Sequence, residues 1–271
     1  MAAAADTRVQ LARVRGRHSC GPDCFVMEVE LAEALGRVAP GQFAMLSPGD
    51  GSGPLIPRPF SVYDQPAADR LTFLVQVIGP GTQALAAIPV GGSVLCTVPL
   101  GNGFVVAPAE REVVFVAGGV GSAPFLLYGR ERLRRGGKTT LFFGARSAER
   151  LYDREAFEKE RLPTVYATDD GSLGFRGNVV ACVADALRAG RVGRDALFAA
   201  CGPEGLLHAF ARFAREEGLD GELSLETYMG CGYGVCNACP VATEAEGPLG
   251  GWPYAKSCLD GPVFALRSIA F

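Results

Sequence analysis

The sequence predicts a multi-domain protein: an antiparallel β-barrel domain, an α/β parallel-sheet domain, and a small cysteine-rich C-terminal domain. Three observations predict it. Short apolar runs punctuated by Gly and Pro fill residues 8–97 with little helix between them. Strand–helix alternation begins at Glu112 and continues to Glu217, the rhythm of a parallel sheet with crossover helices. Four of the nine cysteines then crowd between Cys231 and Cys258. The domains implied are 1–107, 108–220 and 221–271, with Pro108 and Glu110–Glu112 at the first junction. A chain of 271 residues is long enough for two domains with cores of their own.

In the first domain the expected strands are Arg8–Gly16, Phe25–Leu31, Gln42–Leu46, Phe60–Tyr63, Leu71–Ile78 and Ser93–Thr97, rich in Val, Leu and Phe. The second domain is expected to run strand Glu112–Ala117, a Gly-rich turn, helix Ala123–Arg135, strand Thr139–Phe143 and helix Ala148–Glu160. Strand Val165–Thr168, helix Val179–Ala189, strand Ala196–Ala200 and helix Glu204–Glu217 complete it. The remainder, from Gly221, is rich in Gly and Cys and poor in helix formers. It is too short for a large core, so a metal cross-link would explain how it folds.

Net charge is −3 with no block of like charge, which gives neither nucleic acid nor an anionic membrane a reason to bind. Met1–Asp6 has no basic start and no apolar stretch, so no signal peptide is expected. The uncharged run Val113–Gly129 contains glycines and a proline and is shorter than the ~18 apolar residues of a spanning helix. A cytoplasmic protein follows. An odd cysteine count, clustered late, fits a metal site in a reducing compartment better than a secreted disulfide scaffold.

The cluster Cys231-x4-Cys236-x2-Cys239, closed by Cys258 after eighteen more residues, has the spacing of plant-type 2Fe–2S ferredoxins. Four thiolates must surround two irons, so one tight loop wraps the centre and a distant cysteine closes it. Gly230, Gly232 and Gly234 are expected to adopt φ > 0 and to aim backbone N–H groups at the sulfurs. Structural zinc and inert core thiols are the competing readings, but zinc sites show two well-separated close pairs. Cys20, Cys24, Cys96 and Cys182 read as buried small hydrophobes. Cys20 and Cys24 have no second pair to complete a metal site.

Arg58-Pro59-Phe60-Ser61 begins a strand. An arginine fork suits a pyrophosphate, and a serine hydroxyl with strand amides suits a flavin ring edge. A plain turn is the alternative. Further on, Gly79-Pro-Gly81-Thr82 leaves a strand for a short helix, where amides and a threonine hydroxyl form an anion site. Gly118-Gly119-Val-Gly121-Ser-Ala-Pro124 lies between an apolar strand and a helix, where a dinucleotide would be cradled. It reads otherwise as tight strand-to-helix packing.

These motifs, with Cys201-Gly202-Pro203, Leu100-Gly-Asn-Gly-Phe104, Thr168-Asp-Asp-Gly-Ser172 and Cys258-Leu-Asp-Gly-Pro-Val-Phe264, occur in one order. Together they resemble the ferredoxin–NADP reductase superfamily and, more narrowly, the iron–sulfur electron-transfer subunit of class 1B dihydroorotate dehydrogenase. The resemblance covers nearly the whole chain. It implies that FAD is contacted by Arg58–Ser61, by the strand residues Leu74, Val75 and Gln76, and by Gly81 and Thr82. It implies that NAD binds at Gly118, Gly119 and Gly121, with Cys201, Gly202 and Pro203 near the nicotinamide. Cys201 reads alternatively as a buried thiol at a strand end. The Trp252-containing insert between Cys239 and Cys258 departs from the family pattern and bears on partner docking.

The resembled subunit uses NAD, whereas Arg146-Ser147 after the second strand would suit the 2′-phosphate of NADP. His18 and His208, the only histidines, belong to no catalytic constellation. The chain offers no acid–base residues for pyrimidine chemistry, which agrees with an electron-transfer role. The implied partner is the FMN-containing dihydroorotate dehydrogenase catalytic subunit of pyrimidine biosynthesis, in a heterotetramer of two of each. One rival is a self-standing NAD(P)H:ferredoxin-type or sulfide dehydrogenase subunit. Such subunits often carry an altered first cluster ligand, and here all four cysteines are present. A non-catalytic redox-sensing module is the other.

Overall fold

The computed structural model describes residues 7–245 and 253–271. Residues 1–6 and, within the insert, residues 246–252 including Trp252 lie outside them.

The first domain comprises β1 (Arg8–Gly21), β2 (Cys24–Glu30), β3 (Phe43–Pro48), β4 (Arg58–Ser61), β5 (Asp64–Ala67), β6 (Arg70–Gln76), α1 (Pro80–Ala87) and β7 (Ser93–Leu100). The strands form a curled antiparallel sheet in the order β4-β3-β7-β1-β2-β6-β5. Segment 58–67 bonds both ends of it. Past β4 the Val62 amide donates to the Gln42 carbonyl, and one residue later the Tyr63 amide donates to that of Thr72. β5 was not anticipated, because Asp-Gln-Pro-Ala has no apolar alternation to read. β1 also runs five residues past its expected end at Gly16, turning into β2 through a register shift near Gly21.

β2 reads as a nearly unbroken apolar run because both of its faces are covered. Phe25, Met27 and Val29 face the core enclosed by the curled sheet. Cys24 and Val26 face the other way, joining Tyr63 and Leu74 against Phe115, Phe125 and Tyr152 of the second domain. The two domains therefore share a core.

The second domain comprises β8 (Val113–Gly118), α2 (Ala123–Arg134), β9 (Thr139–Ala145), α3 (Arg154–Lys159), β10 (Thr164–Thr168), β11 (Phe175–Arg176), α4 (Val179–Arg188), β12 (Leu197–Cys201), α5 (Glu204–Glu216) and β13 (Asp220–Ser224). β14 (Pro240–Ala242) and β15 (Tyr254–Lys256) form a small antiparallel pair, while β16 (Val263–Ala265) returns to the main sheet. That sheet has the order β11-β10-β9-β8-β12-β13-β16. It is parallel except that β16 lies antiparallel on β13. β13 straddles residue 220, where the sequence placed a junction, so the C-terminal segment is woven into the nucleotide sheet.

The helix expected over Ala148–Glu160 is broken. A 3₁₀ turn at Ala148–Arg150 is followed by Leu151, Tyr152 and Asp153 before α3 begins. Asp153 has φ 51°, a left-handed conformation that a non-glycine residue holds only when its surroundings demand it. The demand comes from burial of Leu151 and Tyr152 between the domains. At the junction, the fully buried Arg132 of α2 donates to the carbonyls of Ala107 (2.7 Å), Pro108 (2.9 Å) and Arg111 (2.5 Å), clamping the inter-domain strap.

Candidate functional site

The four cysteines lie as two close pairs, and among the described residues no three of them converge as a ready-made metal-ligating group. The Cys231 amide lies 3.4 Å from Cys236 Sγ and the Cys236 amide 3.5 Å from Cys231 Sγ. Cys239 Sγ and Cys258 Sγ are 3.2 Å apart. Arrangement by twos suits two metal ions, each taking two thiolates, rather than one tetrahedral ion. Burial pushes the Cys231 thiol up, but donation from the Cys236, Tyr233 and Val235 amides outweighs it and brings the thiol down to about 6. Cys258 is pushed up to about 12 by burial and by Cys239 beside it. A bound cation would reverse that and hold both as thiolates.

The glycines of the loop divide their work. Gly232 and Gly234 have φ of 85° and 88°, as expected. Gly230 does not adopt positive φ; a side chain there would meet Cys236 Sγ at 3.0 Å, so it makes room for sulfur instead. The loop rests on the first domain, since a methyl on Gly232 would lie 2.4 Å from Met45 Cγ. Cys239 and Cys258 pack with Phe43 and Met45 of β3 and Leu100 of β7. Asn102 reinforces the contact, its amide and side chain donating to the carbonyls of Gly261 (2.8 Å) and Asp260 (2.7 Å). Cys236, by contrast, is exposed, among the exposed Tyr233, Val235 and Leu259.

On the first domain, β4 carries Arg58, Pro59, Phe60 and Ser61, all half-buried. The Arg58 side chain crosses the start of α1, and a methyl on Gly81 would lie 2.9 Å from its Nε. The first intrahelical bond of α1 runs from the Gln83 amide to the Gly79 carbonyl, which leaves the Gly81 and Thr82 amides ahead of it. Guanidinium and helix start thus converge, as an anionic pyrophosphate requires. The Thr82 hydroxyl is engaged locally: it accepts from the Ile78 amide (2.9 Å) and the Gly79 amide (3.1 Å) and donates to the Gly79 carbonyl (3.0 Å). It shapes the turn, and the backbone amides are what remain for an anion. Leu74 and Val75 are buried on opposite faces of β6. Gln76 Nε2 donates to Asp23 Oδ2 (2.9 Å) and Tyr152 Oη (3.0 Å), so its backbone is what remains for a cofactor.

On the second domain, strand order reverses between β8 and β12, the place where an open α/β sheet binds its ligand. Gly118, Gly119 and Gly121 leave β8 there, and Cys201, Gly202 and Pro203 leave β12 beside them. The two turns touch backbone to backbone. A methyl on Gly121 would fall 2.4 Å from the Cys201 carbonyl oxygen, and one on Gly202 3.1 Å from the Gly118 nitrogen. Cys201 is buried; burial and then the nearby Glu226 charge push its thiol up, partly offset by Ser224. It is a neutral sulfur in the wall, not a thiolate.

Two groups here escaped the sequence reading. Glu226, just past β13, is reached by solvent yet ringed closely enough that desolvation raises its carboxyl. Tyr152 and Asp23 join Gln76 at the domain interface, where a Tyr amid helix-compatible sequence gave no signal. The remaining groups fall as expected. Cys24, buried beside Cys20, is pushed up by hydrogen bonding to it and by burial. Cys96 and Cys182 are buried as well. His18 is exposed, 3.6 Å from Asp153, and the His208 ring meets that of Phe271 at a tilt of 52°, centroids 4.3 Å apart. Arg146, just past β9, is exposed.

Residues 226–270 match the family described as the iron-sulfur cluster binding domain of dihydroorotate dehydrogenase B, and residues 115–212 match the oxidoreductase NAD-binding domain. The chain is 31% identical over 255 residues to the dihydroorotate dehydrogenase B (NAD(+)) electron transfer subunit of Desulforamulus reducens, covering 93% of this chain and 95% of that one. The subunit of the same name from Shouchella clausii is 34% identical, covering 90% and 91%. Among solved structures, the NADH-dependent reduced ferredoxin-NADP oxidoreductase aligns at TM-score 0.82 with 25% identity, over 100% of this chain and 91% of that one. A ferredoxin NADP+ reductase from Neisseria gonorrhoeae shares the fold at TM-score 0.65 and 19% identity, over 78% and 92%.

Proposed function

The chain belongs to the family of dihydroorotate dehydrogenase B electron transfer subunits, and from that premise we propose that it links an FMN-containing dihydroorotate-oxidising subunit to NAD. The cofactors of this oxidoreductase subunit are FAD and a 2Fe–2S cluster, with NAD as co-substrate. When bound, FAD supplies the exchange between hydride pairs and single electrons.

Each group has residues suited to hold it. Cys231, Cys236, Cys239 and Cys258 are the cluster ligands. Arg58–Ser61, the backbone of Leu74–Gln76, and the Gly81 and Thr82 amides hold FAD on the first domain, whose curled sheet segment 58–67 closes into a barrel. Gly118, Gly119, Gly121 and Cys201–Pro203 hold NAD at the switch point of the sheet. Functional units 1–107, 108–220 and 221–271 correspond to the three groups, although their cores interlock.

One observation carries the reading: the two thiol pairs differ in burial. Cys239 and Cys258 rest on β3 and β7 of the FAD-binding domain, while Cys236 is exposed among Tyr233, Val235 and Leu259. A centre held by these cysteines would rest against the FAD-binding domain and be open to solvent at Cys236, with an apolar surround suited to an interface core. The partner is the FMN-containing catalytic subunit, assembled two to two in the cytoplasm. No helix among the described residues is long and apolar enough to cross a membrane.

The test is co-expression with an FMN-type dihydroorotate dehydrogenase of the same genome, anaerobic purification of the complex, and measurement of NAD reduction driven by dihydroorotate. A stable complex that forms orotate and NADH bears the assignment out. Failure to associate, or flavin that dihydroorotate never reduces, removes the pyrimidine role and leaves a ferredoxin-type reductase on the same scaffold.

A further inference from the structure

The broken helix at 151–153 puts one side chain where two cofactor sites approach. Tyr152 is 2% exposed, and its ring fills the space between the domains. A methyl on Gly21 would come within 2.5 Å of that ring, and one on Gly119 would lie 4.0 Å from it. The ring thus touches the β1–β2 turn on one side and reaches the nicotinamide turn on the other.

Its hydroxyl is bonded to two side chains of the first domain, Asp23 and Gln76, and to Arg150 of its own domain. It donates to Asp23 Oδ1 (2.5 Å) and accepts from Gln76 Nε2 (3.0 Å) and Arg150 Nη1 (3.2 Å). Asp23 gathers the same donors, taking Gln76 Nε2 (2.9 Å) and Arg150 Nη1 (3.2 Å) on Oδ2. Burial alone would raise the Asp23 carboxyl, yet these donors hold it below the ordinary range, so the acceptor stays charged. The next residue doubles the tie. Asp153 accepts from Tyr63 Oη (2.7 Å), and its amide donates to the Cys20 carbonyl (3.3 Å). A left-handed Asp153 is the local cost of presenting Tyr152 this way.

We propose that Tyr152 is a positioning residue that fixes the separation between β6, which holds FAD, and the Gly119 turn, which holds the nicotinamide nucleotide. The inference rests on the cofactor placement proposed above. Hydride transfer needs the reacting atoms roughly 3–3.5 Å apart, and about 1 Å of misplacement costs on the order of 10²-fold. A phenol anchored through two hydrogen bonds to the first domain, with its ring beside the Gly119 turn of its own domain, transmits position from sheet to sheet.

The variant is Tyr152→Phe, which keeps the ring and removes the anchor, measured in the loaded complex by stopped-flow bleaching of flavin with NADH. We expect flavin and cluster content to be unchanged and the NADH dissociation constant to move by less than about threefold, while the limiting hydride-transfer rate falls about 10- to 100-fold. The isotope effect with NADH deuterated at C4 should become more temperature-dependent, which reports a looser donor–acceptor distance and which lost stability alone would not produce. Amide exchange in 19–25 and 147–153 should accelerate, a readout independent of turnover. A Tyr152→Phe rate within about twofold of the parent, with an unaltered isotope effect, overturns the proposal. If Tyr152→Phe does not retain FAD, Asp23→Asn decides by the same measurements. Unmutated protein that NADH does not bleach would instead refute the cofactor placement itself.

Discussion

Gly121→Ala tests the nucleotide site where the structure leaves least room. The added methyl would lie 2.4 Å from the Cys201 oxygen and 2.5 Å from both the Cys201 carbonyl carbon and Gly202 Cα, where ordinary contact begins at 3.4 Å. All three are backbone atoms, so no side chain can swing aside. They sit at the end of a parallel ladder that pairs Leu197 with Val113 through Cys201 with Ala117. The two turns must therefore part by roughly 1 Å, and overpacking of this kind costs about 1–3 kcal/mol. The larger effect is on geometry: a displacement of about 1 Å at a hydride donor is worth on the order of 10²-fold in rate. The assay is anaerobic stopped-flow reduction of bound flavin by NADH, alongside flavin content and the cluster's electron paramagnetic signal. The expected result is a rate down about 100-fold with both prosthetic groups retained. A folded, loaded variant reduced within about threefold of the parent rate would show that the nucleotide does not use these turns.

Cys236→Ser should abolish the cluster's absorbance and paramagnetic signal while FAD remains, because Cys236 is exposed and distant from the shared core; an unchanged signal would exclude it as a ligand. Arg58→Ala should weaken FAD retention by about 1.5–3 kcal/mol, the worth of a charge-assisted contact, read as flavin lost on dilution and gel filtration. Full occupancy afterwards would count against a pyrophosphate contact. Arg132→Met should lower the thermal midpoint by about 10 °C, since it strands several buried carbonyls of the 107–111 strap at a cost of roughly 3–5 kcal/mol. A shift under about 2 °C would mean the clamp contributes little.

How much of this was legible depended on the distance over which each feature is encoded. The cysteine loop could be read because metal geometry fixes spacing along the chain, and Cys231, Cys236 and Cys239 meet their demands within nine residues. The parallel sheet was legible because doubly covered strands such as Val113–Gly118, buried at every position, read as apolar runs. The Asp23–Gln76–Tyr152 network was not. Gln76 is 53 residues from Asp23 and 76 from Tyr152, and nothing local marks any of them as a partner. The helix over 148–160 failed for a related reason: Glu149–Glu160 has good helix formers, and tertiary burial of Leu151 and Tyr152 overrode them. The Thr82 hydroxyl is spent within its own turn, which was not legible, since sequence marks a helix start without saying where a hydroxyl points.

β16 has a consequence for the life of the protein in the cell. It follows Cys258 by four residues and covers the outer edge of the nucleotide sheet at β13. An uncovered strand edge invites pairing with other chains. The covering strand is delivered by the same segment that carries Cys258, so the cysteine-rich segment and the seal of the sheet edge are continuous in the chain. The outer edge of the nucleotide sheet is in this way kept from pairing with other chains by the segment that follows the cysteines.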